Sequence, residues 1–121
     1  MAAKIPLNKF RRQSHTVTTT LSGVYTSPVQ VATIIVQSQA TNISNTEQTL
    51  TALISAGNET FFIIKDMPIP PNDARSFTTG RLVLQGIDGD KITTSDVLLL
   101  SASQNNSIVV NLGLLETKNS D

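Results

Sequence analysis

Between Met67 and Ser103 the chain is cut into short apolar runs by residues that stop a helix and favour a turn. Met-Pro-Ile-Pro-Pro-Asn at 67–72 is followed by Arg-Leu-Val-Leu-Gln-Gly at 81–86, Gly-Asp-Lys-Ile at 89–92 and Val-Leu-Leu-Leu-Ser-Ala-Ser at 97–103. No run is long enough for a packed helix, and each is bounded by Pro, Gly, Asn or Asp. This is the rhythm of short antiparallel strands joined by tight turns.

The rest of the chain follows the same rhythm. His15 to Leu21 is rich in β-branched residues and reads as a first strand, with turns marked by Gly23 and by Ser27-Pro28. Val29 to Gln39 places Ala32, Ile34 and Val36 on one face and Val31 and Ile35 on the other. Apolar character on both faces points to a central or interface strand. Glu47 to Ser55, a hairpin loop at Ala56-Gly57-Asn58-Glu59, and Thr60 to Met67 come next. Pro68, Pro70 and Pro71 are expected to end that ladder, because proline donates no N–H. Ala74 to Thr79, Arg81 to Leu84, Lys91 to Thr94, Val97 to Ser103 and Ile108 to Glu116 complete the series. About eight strands at this spacing predict an all-β antiparallel sandwich, jelly-roll or Ig-like. The sandwich is expected over 15–117, with an extended arm at 1–14 and a polar tail at 118–121.

At 121 residues the chain is one domain with enough length for its own core. Only 4% of residues are aromatic, so that core must be aliphatic. There is no Cys, and Met1 to Leu7 is too short and too polar for a secretory signal. No apolar run reaches the length of a membrane helix. These features predict synthesis in a cytoplasm and no membrane partner.

Net charge is zero but unevenly spread. Lys4, Lys9, Arg11 and Arg12 are the charges before Glu47, and all nine acidic residues lie from Glu47 onward against five basic ones. A basic head and an acidic body can dock one copy on the next. Lys4, Lys9, Phe10, Arg11 and Arg12 are therefore the candidate protein-interface residues. Nucleic acid is not expected as a partner, because no second basic stripe supports the arm and the pI is near neutral.

No catalytic constellation assembles from this inventory, so an enzyme is not expected. His15 is the single histidine and has neither triad nor metal-ligand spacing around it. Asp88-Gly89-Asp90 is ordinary turn composition without the twelve-residue calcium loop; with Asp96 near the same edge, an ion there stays open as an alternative. No cofactor is predicted. The sequons at Asn42, Asn58 and Asn105 carry no weight without a signal peptide.

The pattern of residues 29–117 resembles small all-β virion structural proteins of tailed bacteriophages. The shared features are the strand Val31-Ala32-Thr33-Ile34-Ile35-Val36, the loop at Thr41-Asn42, the paired strands Thr49 to Ile54 and Thr60 to Ile64, then Ile69-Pro70-Pro71-Asn72, Leu82-Val83-Leu84, Gly89-Asp90-Lys91-Ile92 and the ending Leu115-Glu116. The turn at Gly86 to Asp90 is longer than in that pattern. The resemblance implies a capsid-decoration, neck or tail subunit located in the virion, made in the host cytoplasm, forming homo-oligomers and contacting other virion proteins. The competing reading is a carbohydrate- or receptor-binding sandwich on a fibre or cell surface; Tyr25 as the sole Tyr and the absence of Trp count against it. Phe61, Ile63, Leu98, Leu100 and Val109 sit on nominally outward faces and are divided in this reading between core and a subunit-covered patch.

Overall fold

A computed structural model describes residues 9–78, 82–87 and 94–118. Among these residues nine strands follow one another: β1 (Lys9–Thr16), β2 (Ser22–Thr26), β3 (Val31–Asn42), β4 (Gln48–Ala56), β5 (Glu59–Ile69), β6 (Ala74–Arg75), β7 (Leu82–Gln85), β8 (Val97–Ala102) and β9 (Ile108–Lys118). No helix occurs among the described residues. One sheet runs β1-β9-β3, with β6 and β7 both pairing the far side of β3; the other runs β2-β8-β4-β5. Every pairing is antiparallel.

The pairings are nested. β1 meets β9, β2 meets β8, β3 meets β6 and β7, and β4 meets β5, so the first half of the chain lies against the second half in reverse order. This long folded ribbon is wrapped so that β3 also meets β9 and β4 also meets β8. The wrap produces two layers whose inner faces share one core, aliphatic except for Tyr25 and Phe77. Ile35, Leu84, Leu112 and Leu114 of the first sheet close on Leu50, Ala52, Leu98 and Leu100 of the second, all at 0–1% exposure.

Several expectations are corrected by local backbone physics. Lys9 to Ser14 do not form a free arm; they belong to β1, hydrogen-bonded to β9, while Met1 to Asn8 lie outside the described residues. The first strand accordingly starts at Lys9 rather than His15 and ends at Thr16. Gly23 does not mark a turn but sits inside β2, beside an extra residue in the ladder against β8. Pro68 does not end the ladder. It lies on β5, an edge strand where a missing N–H can face away from the sheet, and pairs with Thr49 of β4. Ala74 to Thr79 shrinks to the two-residue β6. Lys118 extends β9 instead of opening the tail, and Asp88, Asp90 and Lys91 to Thr93 are outside the described residues. Leu98 and Leu100 point inward, because the core-facing partners of β8 are Ile54 and Ala52.

Two turns show why these breakers stand where they do. Gly57, at φ +62°, and Asn58 form the two-residue loop between paired Ala56 and Glu59, the primed geometry that suits the strand twist. Asp73 N donates to Pro70 O (3.2 Å) around Pro71 and Asn72, and Asn72 has φ +56°, the pattern of a type II turn.

Candidate interaction surface

The pleat of β1 divides the basic segment. Residues opposite each other across a ladder share a face. Lys9, Arg11, Gln13 and His15 stand opposite Glu116, Leu114, Leu112 and Val110 and so face the sandwich interior. Phe10, Arg12, Ser14 and Thr16 stand opposite Leu115, Gly113, Asn111 and Val109 on the outer face. Of the five residues expected to dock a partner, Lys4 lies outside the described residues, Arg11 is drawn inward, and Phe10 and Arg12 point to solvent.

Arg11 has a partner of its own. Its Nε donates to Glu116 Oε1 at 2.6 Å, and the other carboxylate oxygen, Oε2, accepts from Tyr25 Oη at 2.6 Å. Tyr25 Oη also lies 2.7 Å from Thr33 Oγ1, which is 3.1 Å from Ser27 Oγ; Ser27 in turn donates to Val31 O at 2.9 Å. Tyr25 is on β2 and Glu116 on β9, so this chain of bonds ties the two sheets together at one end of the sandwich. Burial first, and then the hydrogen bond to the Glu116 carboxylate, push the Tyr25 phenol up to about 12. Glu116 is buried, and its compensation comes from Arg11 and Tyr25, as a buried charge requires. The arrangement orders the start of β1.

The outward residues join a larger feature. Phe10 pairs with Leu115, Leu115 with Ile34, and Ile34 with Val83, giving one apolar row across β1, β9, β3 and β7. Phe10 is 76% exposed and Val83 50% exposed at its two ends. Val36 is an extra residue in β3 against β9 and adds a further exposed side chain beside the row. Next to it a shallow depression is lined by Arg12, Gln37, Gln39, Asn111, Leu112 and Gly113. Gly113 forms part of the floor: a Cβ there would come within 3.3 Å of Gln37 Cβ.

The second sheet also exposes aromatic rings. Phe61 and Phe62 on edge strand β5 are 51% and 58% exposed, with Lys65 Nζ 5.5 Å from the Phe62 ring centroid. The expected apolar surface is thus present at Phe61, while Ile63 is half-buried against the core and Val109 lies on the outer face of β9.

His15 Nε2 lies 3.2 Å from Gln13 Oε1. Asp96 Oδ2 accepts from Gln85 N at 2.9 Å. No group of three or more His, Cys, Asp or Glu is gathered among the described residues. The row Leu115, Ile34, Val83 and the inward pair Tyr25–Glu116 were missed in sequence reading; only the cross-strand registers bring these distant positions together.

No family model and no curated protein matches this chain. Among solved structures it is similar to VP2 of infectious bursal disease virus, in the crystal structure of the subviral particle. The TM-score is 0.45 with 14% identity, over 95% of this chain and 32% of that one. The chain therefore spans about a third of that protein, and a likeness of this size carries no argument about function.

Proposed function

We propose that this chain is a non-enzymatic structural subunit of a bacteriophage particle, a jelly roll acting through protein–protein assembly as a decoration, neck or tail component. The nested pairing of β1 with β9, β2 with β8, β3 with β7 and β4 with β5, wrapped into two layers, supports the jelly-roll reading. The observation that carries the assembly reading is the row Phe10–Leu115–Ile34–Val83, left open on the outer face of a sheet whose inner face is already covered. A contiguous apolar strip across four strands is the kind of surface a soluble chain keeps for a partner. The resemblance in strands and turns over 29–117 supports the phage assignment.

An antibody raised against the recombinant chain tests this. Immunogold electron microscopy should decorate particles released from cells carrying the gene. Label confined to the soluble fraction, with bare particles, overturns the proposal. The exposed rings of Phe10, Phe61 and Phe62 favour a second reading, a glycan- or receptor-binding module, which saturable binding on a glycan array would support.

A further inference from the structure

A sheet edge is an unpaired row of N–H and C=O groups, and proteins normally guard it. Among the described residues, three of the four sheet edges are guarded in the backbone itself. β5 carries Pro68, Lys65, two register shifts against β4, and Asp66 at φ +52°. β2 has five residues with an irregularity between Gly23 and Tyr25. β6 and β7, on the far side of β3, have two and four residues. β1 carries charges, Lys9, Arg11 and Arg12, but nothing that interrupts or shortens its backbone ladder. It runs eight residues without proline, glycine or bulge, in unbroken register with β9, and no other strand among the described residues pairs its second side.

The hydrogen-bond phase of β1 shows what is on offer. Val17 N donates to Ile108 O at 2.9 Å, immediately after the Thr16–Val109 pair. Since antiparallel bonding alternates, Lys9, Arg11, Gln13 and His15 bond to β9, while the backbone groups of Phe10, Arg12, Ser14 and Thr16 face the open side. The same four residues place their side chains on the outer face, so backbone and side chains present one continuous strip.

We infer that β1 is an acceptor for an added strand, and that its occupant is an extended acidic segment of a different polypeptide. The deduction deepens the assembly reading above and rests on it for the partner being another structural chain. Charge selects the occupant. β1 holds Lys9, Arg11 and Arg12 and no acid, so two copies paired edge to edge gain no counter-charge: in the longest register its open side allows, with Phe10 opposite Thr16, Arg12 stands opposite Ser14 and diagonal to the other copy's Arg12. The edges that a second copy has left to offer are the guarded ones. A strand carrying Glu or Asp at alternate positions answers Arg12 on the outer face or Lys9 along the inner rim, and main-chain bonds supply the rest of the affinity.

The test uses the full chain and a synthetic peptide of β1's length, capped at both ends and alternating Val with Glu. In ¹⁵N-resolved NMR the peptide should shift the amides of Phe10, Arg12, Ser14 and Thr16 saturably. A Val/Lys peptide should not. Ser14→Pro removes one outward N–H without touching the β9 ladder and should weaken binding at least about tenfold, the loss of a well-made bond and of room for the added strand. Arg12→Glu, which leaves the backbone intact, should reverse the preference toward the Lys peptide. Absence of saturation, equal binding of both peptides, or insensitivity to both substitutions overturns the inference. A concentration-dependent dimer that Ser14→Pro abolishes also overturns it, by giving the edge to a second copy. None of these readouts depends on particle location, so failure here is separable from failure of the virion assignment.

Discussion

β3 carries a buried polar group to each end of the sandwich, and the two ends solve the same problem differently. At one end Thr33 joins Tyr25, Glu116 and Arg11 in a cluster containing a carboxylate. At the other, Asn42 is fully buried and neutral. Its Nδ2 donates to Thr46 O (2.8 Å) and Ile69 O (2.9 Å), and its Oδ1 accepts from Ser44 N (2.9 Å) and Ser44 Oγ (2.7 Å). The neutral hub uses its whole hydrogen-bonding capacity on three backbone groups and the Ser44 hydroxyl, and is insensitive to pH. The charged cluster reaches across both sheets and opens to water through Arg11, whose side chain is 46% exposed. One end is a fixed corner; the other is a tie that titration and salt can loosen.

The comparison predicts the largest loss at Asn42. Asn42→Ala leaves the buried Ile69 O without its donor and removes the partner of the part-buried Thr46 O and Ser44 N, which should cost about 2–3 kcal/mol. Urea unfolding should show a lower midpoint at unchanged slope. Asn42→Asp should be no better at neutral pH, since it trades two donors for a charge facing carbonyl oxygens. A loss below about 0.5 kcal/mol for Asn42→Ala would mean the hub is solvated and the two ends are not distinct in kind.

The charged end should announce itself at high pH. Tyr25 is the chain's single tyrosine and there is no Trp, so phenolate absorbance reads this one group. Its ionisation midpoint should lie at about 12 rather than near 10. The folded state then holds its proton through a window in which the unfolded state releases it. Stability is full below pH 10 and falls as pH rises from 10 toward 12, by about 2–3 kcal/mol at the top of the window. Tyr25→Phe should flatten that slope. An absorbance midpoint near 10 would show that the phenol reaches water and that the inter-sheet tie is open.

How much of this was readable beforehand differs along the chain. β4 and β9 followed from alternation, because Leu50, Ala52 and Ile54, or Ile108, Val110 and Leu112, keep a period of two; β8 was placed, but its apolar residues on both faces hid that Leu98 and Leu100 are the inward set. β3 did not follow from alternation. Its extra residue at Val36 reverses the phase, so Ile35 and Ser38 share the inward face although three positions separate them, and Ala40 and Asn42 follow Ser38. Nothing in the composition of β3 marks this bulge, which falls where Gln37 pairs with Gly113 of β9. β2 was hidden for a related reason, a glycine beside a bulge in a short edge strand. The basic segment was recognised as a surface feature, but a linear cluster reads as one site. The pleat sends Arg11 to Glu116 and leaves Phe10 and Arg12 outside, and that division exists only once the pairing with β9 is known.

Within the tie, the two partners of the ion pair should not be equivalent. Arg11→Ala leaves a shielded carboxylate without its cation, supported by Tyr25 alone, and should cost about 1–2 kcal/mol, an amount reduced from that of a fully buried pair because Arg11 is half in water. Glu116→Gln removes the charge from the dry side. Arg11 can then turn to solvent, and the Gln carbonyl can still accept from Tyr25, so the loss should stay below about 1 kcal/mol. The same substitution should also lower the Tyr25 midpoint from about 12, because the Glu116 carboxylate is one of the causes holding it up. Chemical denaturation of both variants and of the double variant, at low and high salt, closes the cycle. If Glu116→Gln proves the costlier of the two, Arg11 is the desolvated member, and the end of the sandwich described here as open to water is in fact closed.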